Sequence, residues 1–179
     1  SRICPETGLF FDDQAEKLIK WNAVTGVVFL LVGGAFGVLM ALTRWTEVHI
    51  LPADWFYLLL TAHGLDALIV WIIFFEMAVL YLASSTLLKV RLAAPKWAWL
   101  GYWLMLIGAV ITNVMVLEGD SSVMFTSYPP MKAHPLFYLG IILFAVGALI
   151  GTFCFFGTLV LAKEQKTYEG SLPLVTFGA

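Results

Sequence analysis

The sequence predicts an all-α integral membrane protein, a bundle of four transmembrane helices with both termini in the cytoplasm. The first observation behind this prediction is that 61% of the 179 residues are hydrophobic, with a mean hydropathy of +0.91. Soluble domains are only about 45–50% apolar, so this excess fits a lipid solvent better than a small soluble core. The second observation is that four apolar runs are each long enough to cross the hydrocarbon core, which takes about 20 helical residues.

The four apolar runs, in order along the chain, cover residues 22–42, 54–83, 97–117 and 136–162. Irregular backbone is too costly in hydrocarbon, so each run is predicted to be a helix. Pro52 interrupts the helical pattern between the first two runs, and Asp54 after it is predicted to cap the second helix. Pro135 falls in the first turn of the fourth helix, where proline is tolerated.

Lysines and arginines are unevenly distributed among the connecting segments. They cluster in the N-terminal segment, the second loop and the C-terminal tail, at Arg2, Lys17, Lys20, Lys89, Arg91, Lys96, Lys163 and Lys166. The first loop has only Arg44 at its edge, and the third has only Lys132. By the positive-inside rule, both termini and the second loop face the cytoplasm. The net charge of -2 provides no basic field, so nucleic acid is excluded as a partner.

His63 is the candidate cofactor ligand. The other two histidines, His49 and His134, fall in the outward loops, whereas His63 lies nine residues into the second predicted helix, roughly 14 Å along its axis. An ionisable side chain at that depth is a functional-site hypothesis by default. Imidazole is a good ligand for haem iron, and Gly64 beside it leaves the space that a flat cofactor needs. The alternative is a histidine that hydrogen-bonds across helices.

Two acidic residues share this helix with the histidine. Asp66 lies within one turn of His63, where it could hydrogen-bond the imidazole or serve a water chain; the alternative is a neutral, satisfied acid at a helix contact. Glu76 lies thirteen residues beyond His63, roughly 20 Å towards the cytoplasm. It could take up protons there or pair with a neighbour near the interface. Asn113 in the third helix is expected to form an interhelical hydrogen bond.

Small residues line part of the first helix, in the run Val32-Gly33-Gly34-Ala35-Phe36-Gly37. They allow a second helix or a porphyrin to approach the backbone closely, and helix packing is the commoner use. Gly34 is the candidate for contact with a cofactor. No phosphate-binding loop, Ser-His-Asp set or zinc pattern is present, and no catalytic residue is assigned to this chain.

Two segments resemble those of a known family. Leu60-Thr61-Ala62-His63-Gly64 resembles the Leu-Thr-x-His-Gly segment of subunit I of the haem-copper oxidase superfamily. The stretch from Phe125 to His134, which contains Tyr128-Pro129-Pro130-Met131-Lys132, is similar to a Tyr-Pro-Pro-Leu-Lys-Gly-His segment of its B-type members. Residues 173–176 are similar to the stretch that leads into the next helix there. The order and spacing of the segments make the resemblance specific.

The resemblance implies a fold and a set of cofactors. Residues 1–179 would be the N-terminal portion of the transmembrane domain of subunit I of a B-type cytochrome c oxidase, which has about twelve helices. His63 would be an axial ligand of the low-spin haem, expected to be b-type, and Tyr128 would lie near the haem propionates. Glu76 and Asp66 are the candidates for a proton path. The high-spin haem and copper are expected outside this chain, as is the second ligand of the low-spin haem.

The resemblance also implies a function in a respiratory complex. The family transfers electrons from cytochrome c or a similar donor to oxygen, makes water and pumps protons. The expected partners are the remaining helices of subunit I or a second chain, a copper-containing subunit II, the electron donor and the lipid bilayer of a prokaryotic inner membrane. One alternative is a nitric oxide reductase of the same superfamily. Others are a non-catalytic four-helix anchor and a cytochrome b anchor, although His63 and His134 lie at different depths.

Overall fold

The computed structural model describes residues 1–179, and four long helices dominate it. The strands are Arg2–Ile3 and Phe10–Phe11, and the helices are Asp13–Arg44, Ala53–Thr86, Pro95–Leu117, Pro135–Glu164 and Leu174–Gly178. The first four, called the first to fourth helices below, are long and apolar enough to cross a membrane. The predicted all-α bundle of four transmembrane helices is therefore confirmed. The only sheet consists of two short strands of two residues each.

The first helix begins at Asp13, nine residues before the predicted start of the apolar run. Asp12 caps it, because its Oδ2 accepts a hydrogen bond from the backbone N–H of Ala15 at 3.2 Å. Ala15 and Leu18 in the added turns are fully buried. This extension is amphipathic rather than uniformly apolar, so a search for apolar runs passes over it.

The second helix runs unbroken through 34 residues and contains two π-helical segments. α-Helical turns at Ala53–Leu65 and Trp71–Tyr81 alternate with π-helical turns at Asp66–Val70 and Leu82–Thr86. The prediction that Asp54 caps this helix is wrong. The helix already begins at Ala53 and has no side-chain cap, so Asp54 lies within its first turn.

Prolines begin the third and fourth helices, at Pro95 and Pro135. These two helices pack backbone against backbone. A Cβ added to Gly101 would lie 2.8 Å from the carbonyl oxygen of Gly147, and one added to Gly108 would overlap the carbonyl oxygen of Gly140. Glycine is therefore required at this contact between the third and fourth helices.

Phe74 joins all four helices at the centre of the bundle. Its ring is fully buried and stacks on Phe29 of the first helix, with 6.1 Å between centroids. It meets Tyr102 of the third helix and Phe144 of the fourth edge-on, at 5.9 and 5.8 Å. Such aromatic pairs contribute beyond the apolar area that they bury. This cluster fixes how the second helix sits against the other three.

Candidate functional site

The imidazole of His63 faces the first helix. His63 lies ten residues after the first residue of the second helix, Ala53, about 15 Å along the axis. Its Nδ1 is 2.7 Å from the carbonyl oxygen of Gly33. A carbonyl oxygen can only accept, so Nδ1 bears the hydrogen and donates it. In the neutral ring the lone pair is then on Nε2, which makes no hydrogen bond in this structure and is free to bind a metal.

Gly37 provides the space in which the His63 ring lies. A Cβ added to Gly37 would be 2.8 Å from Cε1 of His63 and 3.0 Å from its Nδ1. Gly33 and Gly37 are four residues apart and therefore share one face of the first helix. Gly33 supplies the carbonyl oxygen that accepts the hydrogen bond, and Gly37 leaves the space that the ring occupies. The sequence singled out the small residues of this segment, but the roles of these two glycines were missed; their i, i+4 spacing was the available signal.

The other two glycines near the site have different surroundings. A Cβ added to Gly34 would meet no atom within 4 Å, so no helix of this chain packs on it. Its predicted contact with a cofactor remains a prediction. A Cβ added to Gly64 would lie 2.9 Å from the ring of Phe125. The interpretation of Gly64 as space for a flat cofactor is therefore wrong, because a side chain of the third loop already fills that space.

Asp66 is fully buried between three helices. Its Oδ1 accepts a hydrogen bond from Nδ2 of Asn113 at 2.9 Å, which confirms the expected interhelical bond of Asn113. Its Oδ2 has no hydrogen-bond partner. No hydrogen bond joins the side chains of Asp66 and His63, so the only hydrogen bond of the imidazole is the one that it donates to the first helix. Asp66 thus lies at a helix contact, with only one of its two oxygens hydrogen-bonded, and its predicted part in a proton path remains a prediction.

The third loop is anchored to the second helix close to His63. The backbone N–H of Met124 donates to Oγ1 of Thr61 at 2.9 Å. Thr61 lies about one turn before Gly64, which Phe125 of the same loop contacts. Tyr128 follows in the same loop, with its side chain 67% exposed and no side-chain hydrogen bond. Its predicted position near haem propionates remains a prediction.

Glu76 lies far from His63, towards the opposite end of the second helix. Its side chain is exposed and forms no ion pair in this chain. It lines a cavity of about 490 Å³ between the second and fourth helices, where Thr152 and Thr176 are the other polar residues. The alternative that Glu76 pairs with a charged neighbour therefore has no support within this chain. Its predicted part in a proton path remains a prediction.

The other two histidines are engaged with local backbone in the first and third loops. Nδ1 of His49 lies 3.0 Å from the carbonyl oxygen of Thr43. Nδ1 of His134 accepts from the backbone N–H of Leu136 at 3.2 Å and so caps the fourth helix. No three side chains of His, Cys, Asp or Glu come together to hold a metal ion. The residues around His63 fit a haem, because this half-buried imidazole has one nitrogen hydrogen-bonded and the other without a partner, so it could serve as a single ligand of haem iron.

The sequence comparisons agree on one family. The family model described as Cytochrome C and Quinol oxidase polypeptide I matches residues 17–179. Cytochrome c oxidase subunit 1 of Thermus thermophilus is 30% identical over 176 residues, which cover 92% of this chain and 30% of that protein. Cytochrome c oxidase subunit 1 of Thermostichus vulcanus is 26% identical over 164 residues, or 84% of this chain and 29% of that protein. The chain thus spans less than a third of the length of these relatives.

The fold also has a counterpart among solved structures. It is similar to a chain in a cryo-EM structure of a haem-copper terminal oxidase dimer, with a TM-score of 0.82 and 26% sequence identity. The match covers 94% of this chain and 29% of that chain. The four helices therefore correspond to one part of a larger subunit in that oxidase.

Proposed function

Because this chain belongs to the family of cytochrome c and quinol oxidase polypeptide I, we propose that it forms the electron-entry portion of a terminal respiratory oxidase. The family implies haem and copper cofactors, a membrane complex and an oxidoreductase activity. The B-type assignment rests on the Tyr128-Pro129-Pro130 segment. The location proposed is a prokaryotic inner membrane, in which the chain is a multi-pass component.

The observation behind the proposal is the hydrogen bond from Nδ1 of His63 to the carbonyl oxygen of Gly33. It fixes the tautomer and the orientation of the ring, and it makes Nε2 a better electron donor. A metal-ligating histidine in proteins almost always donates its other ring N–H in this way. His63 would therefore be one axial ligand of a low-spin, b-type haem, which when bound supplies one-electron transfer.

The open side of Gly34 is where this chain leaves room for the edge of a porphyrin. The second axial ligand would come from outside residues 1–179, because His49 and His134 are held by local backbone in the loops. The remaining helices of subunit I, or a second chain, would supply the high-spin haem and copper at which oxygen is reduced to water. A copper-containing subunit II and cytochrome c or a similar donor would deliver electrons to the haem that His63 holds.

Glu76 and Asp66 are the residues of this chain proposed to move protons. Glu76 lines a cavity near the end of the second helix that is predicted to face the cytoplasm, together with two hydroxyl-bearing residues, Thr152 and Thr176. Asp66 has one buried oxygen without a partner, at which a proton could be held. Acidic residues inside a membrane protein commonly serve as proton relays. Tyr128 is proposed to lie near the haem propionates on the outer side.

The proposal is tested by replacing His63 with alanine in the assembled complex. A reduced-minus-oxidised spectrum should lose the low-spin haem band, because alanine cannot ligate iron. His49→Ala is the matched control, since it removes an exposed loop histidine and should leave the band unchanged. A His63→Ala complex that keeps the band would reject the ligand assignment. A purified wild-type complex without any haem absorbance would instead favour a non-catalytic membrane anchor.

A further inference from the structure

Gly33 takes part in two contacts with the second helix. A Cβ added to Gly33 would lie 3.0 Å from Cβ of Asp66 and 3.1 Å from the backbone nitrogen of Ala67. The two helices therefore touch at this level with no side chain of the first helix between them. The second contact is the bond that the same Gly33 accepts from His63, one turn earlier in the second helix.

Asp66 is held in place from two further directions. Nδ2 of Asn113 reaches it from the third helix at 2.9 Å. Its own backbone N–H points to the carbonyl oxygens of both Ala62 and His63, at the residue where the π-helical turn begins. π-Helical turns inside α-helices occur frequently at functional sites, because the extra residue re-aims the side chains around it. Asp66 thus joins the first, second and third helices next to the histidine.

We propose that Asp66 is a positioning residue for His63, acting through Gly33. Asn113 holds the carboxyl group of Asp66 and thereby holds this turn of the second helix against Gly33, which Cβ of Asp66 and the backbone of Ala67 approach. This helix contact sets the Gly33 carbonyl at hydrogen-bonding distance from Nδ1 of His63. The inference rests on the proposed function of His63 as a haem ligand. It assigns Asp66 and Asn113 a task in tuning the site that their burial alone does not imply.

The chemistry of the position supports a task other than packing. A fully buried carboxyl group with one unpartnered oxygen is costly in an apolar interior, and a well-packed apolar residue avoids that cost. Buried polar groups of this kind are best attested where they fix the register of packed helices. Here the register in question is that of the first helix against the second, on which the hydrogen bond from His63 to Gly33 depends. Thr25 and Tyr102 form a comparable interhelical bond of 2.9 Å that does not involve His63 or Gly33.

The test compares the low-spin haem in complexes with Asn113→Leu, Asp66→Leu and Asp66→Asn. The readouts are its reduction potential and the g-values of its ferric electron paramagnetic resonance spectrum, which report ligand orientation. Asn113→Leu and Asp66→Leu should alter the g-values and shift the reduction equilibrium constant by about tenfold, a size taken from the lower end of the losses in metal affinity that follow removal of an outer-shell partner. Asp66→Asn keeps an amide oxygen for Asn113 and should retain the wild-type g-values. Thr25→Val is the matched control and should change neither readout.

A swap variant covers the case in which a leucine prevents assembly. Asp66→Asn combined with Asn113→Asp keeps a hydrogen bond between the two positions with the roles reversed, and it should restore the wild-type g-values. Unchanged potential and g-values in Asn113→Leu, or altered g-values in the swap, would overturn the inference. Either result leaves the ligand assignment intact if His63→Ala still abolishes the haem band. Retention of that band in His63→Ala would instead overturn the proposed function itself.

Discussion

Gly37 lies directly against the imidazole of His63, so closely that a Cβ at position 37 would be 2.8 Å from Cε1 of the ring. Real Cβ atoms do not approach other heavy atoms that closely, so any larger residue must displace the ring or part the two helices. The ring is held by one hydrogen bond, to Gly33. Position 37 therefore controls the orientation of the histidine without any polar contact to it.

Gly37→Ala should perturb the low-spin haem without unfolding the bundle. The added methyl group pushes the His63 ring away from Gly33, so we expect reduced haem content or a shifted haem band in the purified complex. Gly157→Ala is a matched glycine control, since its nearest neighbour would be Cβ of Ala93 at an ordinary 3.5 Å. A normal spectrum for Gly37→Ala, equal to that of Gly157→Ala, would mean that the ring does not need this space.

Gly34→Leu should also lower haem content, for a different reason. No atom of this chain lies within 4 Å of an added Cβ, so the substitution costs this chain no packing. If a porphyrin edge occupies that space, leucine blocks it, and the haem-to-protein ratio should fall while the chain still assembles. Gly34→Ala should have a smaller effect than leucine. Full haem content with leucine at position 34 would remove Gly34 from the site.

The existence of the four helices was predictable because hydrocarbon imposes a minimum length of apolar sequence. Their ends were not, because the first helix starts with a capped amphipathic turn at Asp12 and Ala15 rather than with an apolar run. The π-helical turn that begins at Asp66 leaves no mark in the hydropathy pattern. It begins where Asp66 contacts the first helix and bonds to the third, and the local sequence does not encode those contacts.

The site itself was predictable in part. His63 stands out from sequence because an ionisable residue in a membrane span needs a reason to be there. Which glycine accommodates its ring was not predictable, since Gly64 is adjacent in sequence but faces Phe125, 61 residues further along. Gly37 is 26 residues earlier and faces the ring. Contacts of that sequence separation are set by how the helices and the third loop pack together.

Glu76→Gln should slow turnover and proton pumping while leaving the haem spectrum unchanged. Glutamine keeps the size of the side chain but cannot bind and release a proton, so a path through position 76 would be interrupted. Oxygen consumption and proton release by the reconstituted complex measure this directly. Glu47→Gln, at an exposed position of the first loop, is the matched control and should behave as wild type. Unaltered turnover and pumping would reduce Glu76 to a structural residue.

Gly108→Ala should lower the thermal stability of the complex. Its new Cβ would overlap the carbonyl oxygen of Gly140 and lie 2.6 Å from the backbone nitrogen of Phe144, and backbone atoms cannot rotate away. Overpacking of this kind costs about 1–3 kcal/mol. Thermal denaturation in detergent should show a lower Tm than for wild type or for Gly157→Ala. A Tm equal to that of the control would show that the third and fourth helices can part at little cost.

Cys4 provides a test of the predicted cytoplasmic N-terminus. Hydrogen bonds from Thr7, with a further backbone bond from Glu6, hold the pKa of the Cys4 thiol below its ordinary value of 9.0. A lowered pKa leaves more thiolate at neutral pH, and the thiolate is the species that reacts with a maleimide. Cys154, the other cysteine, is buried within the fourth helix and should not react in the folded protein.

A membrane-impermeant maleimide should therefore label Cys4 in inside-out vesicles and not in right-side-out vesicles, with the labelled peptide identified by mass spectrometry. The labelling rate should fall as the pH is lowered through the thiol pKa, with a midpoint below 9.0. Cys4→Ser removes the signal and serves as the control for specificity. Because the four helices alternate in direction, the side on which Cys4 reacts also assigns the second loop and the C-terminal tail to that side. Labelling in right-side-out vesicles would reverse the predicted topology and place His63 in the half of the membrane nearer the cytoplasm.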